Sequence, residues 1–317
     1  MAKNNSNLHS AKRAKNDEFY TLLSDIENEL KYYKKHFDGA VICCPCDETI
    51  SEDGKKETMF LKHFIMSVNE YNWKRLICIG YEEDGRAIVH FFDNHNGAIT
   101  QTNKILSGNG DFRNAETIEL MEQSDIIVTN PPFSLFREFL AVVLGLGKKL
   151  AVIGNKNAVS NKETFPLIKD NKLWLGYTSP AKFIQPGEDE LKNMTGLTRW
   201  FTNMEIKKQE EVINLGTEYE RGKKKGLYGK YDNYDAINVD KVTQIPMDYE
   251  ETMGVPITFL DHFNPNQFEI LGLAAGNSKA CGFNFDVPYT PHPDDRGGCA
   301  ILNGQRVYSR LLIRKKK

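Results

Sequence analysis

Through the first two-thirds of the chain, short apolar runs alternate with segments in which apolar residues recur at three- and four-residue spacing. The runs Ala40–Cys44, Leu76–Gly80, Ala87–Phe92, Ile126–Thr129 and Leu150–Gly154 predict strands. Between them, Asp25–Phe37, Glu57–Asn69, Ala115–Gln123 and Ser134–Leu146 carry the helical period, with Ser24 and Ser134 placed as N-caps. Such alternation predicts an α/β fold, a doubly wound and mostly parallel sheet with helices on both faces. Ligands of these sheets sit outside the carboxyl ends of the strands. Asn130 stands at one such end and Pro45–Asp47 at another.

After about residue 205 the texture changes. Glycine, tyrosine, asparagine and charge dominate Glu210–Asp240, and short β-like runs follow at Ile257–Leu260, Phe268–Leu271 and Gln305–Ile313. The pattern predicts a first domain over 1–205 and an irregular α+β domain over 206–317, without internal repeats.

Composition narrows the class. In 317 residues, 40% apolar and 26% charged are ordinary values for a soluble globular protein. No stretch reaches the roughly 18 apolar residues of a membrane span, and the start MAKNNSNLHSAKRAK has no apolar signal core, so a cytoplasmic protein is expected. Six cysteines without paired C-x-x-C spacing read as buried thiols, and no metal is expected. His63, His90 and His95 lack metal-site spacing and read as surface or structural residues. The net charge is only −2, but cations are grouped. Lys3, Lys12, Arg13 and Lys15 lie in an N-terminal segment without acids, and Arg221, Lys223, Lys224, Lys225 and Lys230 fill RGKKKGLYGK. The chain ends in Arg314, Lys315, Lys316 and Lys317. Grouped cations fit a local anionic partner, and equally a solvated surface.

The stretch with most chemical content is DIIVTNPPF, residues 125–133. Two prolines fix φ and lack N–H groups, so the corner is rigid and rich in acceptors. The Asn130 side-chain oxygen and the Pro131 carbonyl suit the two hydrogens of a primary aromatic amine, orienting its lone pair and stabilising positive charge that develops on nitrogen. Phe133 is placed to stack on the ring. The matching electrophile is a methyl sulfonium, hence S-adenosylmethionine. A rigid turn with no chemistry is the competing account.

This stretch resembles the catalytic motif of amino-methyltransferases acting on adenine N6, cytosine N4 or glutamine amides, and the form NPPF points to adenine in DNA. AKRAKNDEFYTLLSDIENEL and MGVPITFLDHFNPNQFEILG, with that motif, resemble the EcoRI-type adenine-specific DNA methyltransferases from about residue 11 to the C-terminus. The resemblance implies a seven-stranded Rossmann-like catalytic sheet with an appended target-recognition region. It implies Asn130, Pro131, Pro132 and Phe133 as the catalytic corner and Phe19, Tyr20 and Thr21 as a cofactor motif near the methionine part. Asp111 would bond the cofactor's adenine amine and Phe112 would flank that ring, while Pro45, Cys46 and Asp47 occupy the first cofactor loop. That loop departs from the family pattern, because CCPCDETISEDG has no glycine before Gly54. The acid for the ribose is left among Glu82, Glu83 and Asp84. The expected partner is double-stranded DNA, met by Lys12, Arg13, Lys15, Arg221, Lys223, Lys224 and Lys225, with the target base swung out of the helix. A monomer, with a cognate restriction endonuclease, is the expected setting. RNA or protein-glutamine methylation, or an inactive DNA-binding relative, are the alternatives.

Overall fold

The computed structural model describes residues 20–47, 58–83, 85–184, 191–283 and 286–316. Phe19, Lys12, Arg13, Lys15 and Asp84 lie outside them. The chain divides into two compact units, one of Met1–Ala158 with Leu175–Glu205, the other of Val159–Trp174 with Ile206–Lys317.

The first unit is α/β and holds most of an eight-stranded sheet. In spatial order the strands are Ala98–Ile105, Ile88–His95, Arg75–Gly80, Val41–Asp47, Ile126–Thr129, Lys149–Asn155, Thr198–Thr202 and Trp174–Leu175. The four from Arg75–Gly80 to Lys149–Asn155 are parallel neighbours. They form because their Ile, Val, Leu and Cys side chains are buried on both faces, as in Ile126–Thr129, where all four residues are buried. The four predicted helical segments appear as Leu23–Leu30 continued by Lys31–Tyr33 and Lys34–Phe37, as Met59–Met66 with Val68–Tyr71, as Ala115–Glu122, and as Phe136–Gly145.

Three expectations are corrected. The sheet has eight strands rather than seven, and Ile88–His95 runs antiparallel to Arg75–Gly80 with no helix between them. Its hairpin partner Ala98–Ile105 is polar and largely exposed, so hydrophobic pattern does not reveal it, although Asn96 and Gly97 (φ 56° and 93°) make the tight turn that Asn-Gly favours. Neither Ser24 nor Ser134 stands at an N-cap position. The first helix begins at Leu23 after Leu22, and Ser134 lies inside the 3₁₀ turn Phe133–Leu135.

The second unit is built on a five-stranded sheet in the order Tyr228–Lys230, Ile237–Val239, Met253–Pro256, Arg310–Lys315 and Phe268–Ala274, antiparallel except between the second and third. Tyr231, Tyr234, Leu271, Ala274 and Leu312 lie at its core. Gly254 is required there, since a Cβ would meet the Tyr231 hydroxyl at 2.3 Å. Ile257–Leu260 is a 3₁₀ turn, Ile257–Asp261, and not a strand. The strand precedes it, and Pro256 ends that strand because it cannot extend the ladder.

Candidate active site

Because Arg75–Gly80, Val41–Asp47 and Ile126–Thr129 are parallel neighbours, Gly80, Asp47 and Asn130 mark one edge of the sheet. From Val41–Asp47 the chain goes first to the Arg75–Gly80 side and later returns to Ile126–Thr129 on the other side. The order therefore reverses between Asp47 and Asn130, the position where open α/β sheets leave a crevice for ligands.

At this point the corner is locked by its own turn. The Leu135 N–H donates to the Pro132 carbonyl at 3.0 Å, and the Phe136 N–H donates to that of Phe133. Pro131 is buried, while Asn130, Pro132 and Phe133 are half-buried. Asn130 Nδ2 donates to Thr21 Oγ1 at 3.2 Å. The donor end of the amide thus faces Thr21, and Oδ1 is its acceptor end. Thr21 sits in the two-residue strand Tyr20–Thr21, which pairs with Lys182–Ile184 in the register Thr21 to Phe183. Phe183 meets Phe133 edge to face, with ring centroids 6.4 Å apart. One small strand pair thereby positions both the amide and the ring. Beside them, the buried Thr129 Oγ1 has no hydrogen-bond partner among the described residues.

Asp47 is buried and accepts from Thr58 Oγ1 at 2.5 Å, and the same hydroxyl accepts the Leu61 N–H as the N-cap of Met59–Met66. Its carboxylate clusters with the sulfurs of Cys44 and Cys78, their ligand atoms lying within 4.8 Å of one another. Burial pushes both thiols up, and the neighbouring Asp47 charge adds to the shift. Pro45 is buried and Cys46 half-buried on the same strand.

The Asn109–Asn114 loop docks on the next strand end. Gly110 has φ +79°, and a Cβ there would lie 2.0 Å from the Gly80 carbonyl. The Glu82 N–H donates to the Asn109 carbonyl at 2.9 Å, and Glu82 is half-buried while Glu83 is exposed. Asp111 receives Arg113 Nε at 2.9 Å and Nη2 at 2.6 Å, together with the Arg113 N–H at 2.9 Å. Burial pushes Asp111 up, but the Arg113 bonds outweigh it and hold the carboxyl below its ordinary 3.8. Arg113 also reaches Glu138 at 3.1 Å, on the helix that follows the corner. Phe112 is buried, edge to face with Phe139 at 5.2 Å, and Arg113 covers its ring.

Sequence reasoning missed Phe183, Thr58, Cys78 and Arg113. Arg113 was legible as a cation two residues after Asp111, and Thr58 as a cap before an apolar helix. Phe183 carries no local signal. In the second unit, RGKKKGLYGK is the end of the helix Tyr219–Lys224, a turn and the strand Tyr228–Lys230. Gly222 allows this by leaving room for the Tyr228 ring, which a Cβ would meet at 2.3 Å. Arg221, Lys223, Lys224 and Lys225 are exposed, Lys223 lies 4.0 Å from Glu220, and Lys230 pairs with Asp235 at 2.9 Å.

Residues 7–316 match the family model described as adenine-specific methyltransferase EcoRI. The chain belongs to this family. It is an adenine-specific methyltransferase by that membership. It is 38% identical over 322 residues to the Type II methyltransferase M.EcoRI of Escherichia coli, covering 91% of this chain and 96% of that one. M.MgeORF184P of Mycoplasma genitalium is 35% identical over 325 residues, covering 97% and 98%. M.MpnI of Mycoplasma pneumoniae is 34% identical over 327 residues, covering 97% of each. No solved structure matched. Among the described residues, no helix is long and apolar enough to cross a membrane.

Proposed function

We propose that the protein transfers a methyl group from S-adenosylmethionine to N6 of an adenine swung out of double-stranded DNA. The observation that carries this reading is the Asn130 amide, with its donor end tied to Thr21 at the reversal point of the sheet. The turn after the corner uses the Pro132 and Phe133 carbonyls, so Pro131 offers its carbonyl next to Asn130 Oδ1. Those two oxygens accept the two hydrogens of the exocyclic amine, turn its lone pair out of the ring and stabilise the charge that develops on nitrogen. Phe133, held on edge by Phe183, stacks on the base. Neither acceptor titrates, so no strong base takes part.

The strand ends fit the methyl donor. A carboxylate offers about four acceptor sites, and the three bonds from Arg113 leave Asp111 one for the amine of the cofactor's adenine. Glu82, half-buried at the neighbouring strand end, is the acid assigned to the ribose. Tyr20, Thr21, Pro45, Cys46 and Asp47 line the side toward Asn130, and Phe19 and Phe112 complete the set. When bound, S-adenosylmethionine supplies an electrophilic methyl sulfonium.

The first unit is assigned to catalysis and the second to target recognition, with Arg221, Lys223, Lys224 and Lys225 at phosphates and Lys12, Arg13 and Lys15 in the same role. We further assign a monomer that modifies the two strands one at a time, in the cytoplasm, paired with a restriction endonuclease of the same specificity. The experiment is to incubate the protein with methyl-labelled S-adenosylmethionine and mixed-sequence duplex DNA, then digest to nucleosides. Label in N6-methyladenosine supports the reading, and label in N4-methylcytosine, or none in DNA, overturns it.

A further inference from the structure

Six non-glycine residues among those described have positive φ. Five are asparagine, whose short polar side chain tolerates this region. The sixth is Arg296, at φ 51°. An arginine gains nothing from this conformation, and glycine or asparagine would hold it more cheaply. The backbone there is nevertheless over-determined. Asp295 is buried and its carboxylate accepts from the Tyr289 hydroxyl, the His292 N–H at 2.9 Å and the Gly297 N–H at 2.8 Å. A second loop is laced to the first. The Asn277 N–H donates to the Arg296 carbonyl at 2.9 Å, and the Lys279 N–H donates to that of Gly297 at 3.0 Å. Gly298 lets them close, since a Cβ would lie 2.8 Å from that of Ser278.

The side chains on this platform are cationic. Arg296, Lys279 and Arg306 are all exposed, and no described carboxylate forms an ion pair with any of them. Arg306 Nη1 donates to the Asp294 carbonyl at 3.5 Å, and Lys279 lies over the Tyr289 ring. The platform therefore differs from Arg221–Lys230, where two of five cations have carboxylate neighbours. A rigid mount for an unpaired guanidinium fork suits a directional acceptor pair more than a diffuse negative charge. The guanine edge in the major groove, O6 with N7, is such a pair.

We infer that Arg296 is a specificity-determining residue that reads a guanine of the target sequence, with Lys279 and Arg306 on flanking phosphates. This inference rests on the methyltransfer reading above. The test methylates a random-sequence duplex library with S-adenosylmethionine and the full chain, and sequences the contexts of N6-methyladenine. Two variants are compared with wild type: Arg296→Asn, which suits the backbone and keeps or raises the melting temperature, and Arg296→Lys, which keeps the charge and removes the fork. Both should relax preference at one guanine position by about 5- to 150-fold. The lysine variant should keep the wild-type salt dependence of binding. Unchanged sequence contexts in both variants overturn the inference, as does a uniform loss across all contexts in Arg296→Asn, which marks a phosphate contact. If wild type modifies no adenine, the functional reading fails first and takes this inference with it.

Discussion

The Asn130 corner and the Arg296 platform use opposite means to hold a side chain still. The corner inherits its rigidity from a fully buried parallel strand and two prolines, and needs few polar bonds. The platform is held by bonds to a buried carboxylate and by backbone lacing between two loops. Chemistry at a strand end asks for acceptors that do not move. Reading a base asks for a shaped loop, which can change sequence while the sheet below stays the same. The comparison implies that corner variants lose rate without losing stability, and that the platform responds to changes in its polar bonds.

The largest expected effect belongs to the corner. Asn130→Ala removes one of two acceptors and should lower turnover by about 10²–10³-fold, by analogy with an oxyanion-hole donor. Melting temperature and equilibrium binding of S-adenosylmethionine should stay close to wild type. A fall in melting temperature matching the fall in rate would make Asn130 a structural residue and dissolve the contrast.

How far each region could be read in advance follows from the same contrast. Ile126–Thr129 and the corner were legible because an apolar run and two prolines declare themselves locally. The partners were not: Thr21 and Asn130 are 109 positions apart, and Phe183 reaches Phe133 only through strand pairing. Ala98–Ile105 escaped because an exposed edge strand needs no apolar face. Ile257–Leu260 was misread because its β-branched residues sit just past Pro256, in a 3₁₀ turn that buries Phe259 and Leu260 instead. The Arg296 platform carried no pattern at all, since positive φ at arginine appears only in three dimensions.

His63 tests the stability of the first unit by itself. It is buried between Phe64 and Tyr71 with its Nε2 unpartnered among the described residues, and burial pushes it down to about 4. A folded-state value below the unfolded 6.5 means that the unfolded chain binds more protons between pH 6.5 and 4. Stability should be full above pH 6.5 and fall through that window by about 3 kcal/mol. Urea melts of His63→Phe should show a flatter profile over the same range, and an unchanged slope would place the titration elsewhere.

Smaller effects come from the supports. Thr21→Val removes a single neutral hydrogen bond to Asn130 and should lower turnover by about 2- to 10-fold, the ordinary worth of such a bond. An effect as large as that of Asn130→Ala would move Thr21 into direct contact with the reacting groups. Smallest is Lys223→Ala with Lys224→Ala and Lys225→Ala. The triple variant should flatten the slope of log affinity against log salt by up to about 2.7 and leave sequence preference alone. A change in preference would give the helix end the part assigned to Arg296.

The central claim is that two neutral acceptors at the corner hold the amine, with no proton taken before the methyl moves. Single-turnover transfer from protein preloaded with S-adenosylmethionine to duplex DNA, followed from pH 6.5 to 9, tests it directly. The account predicts a flat rate, since neither Asn130 Oδ1 nor the Pro131 carbonyl titrates. A rate that climbs tenfold per pH unit to a plateau within that range would reveal a base at work and contradict it.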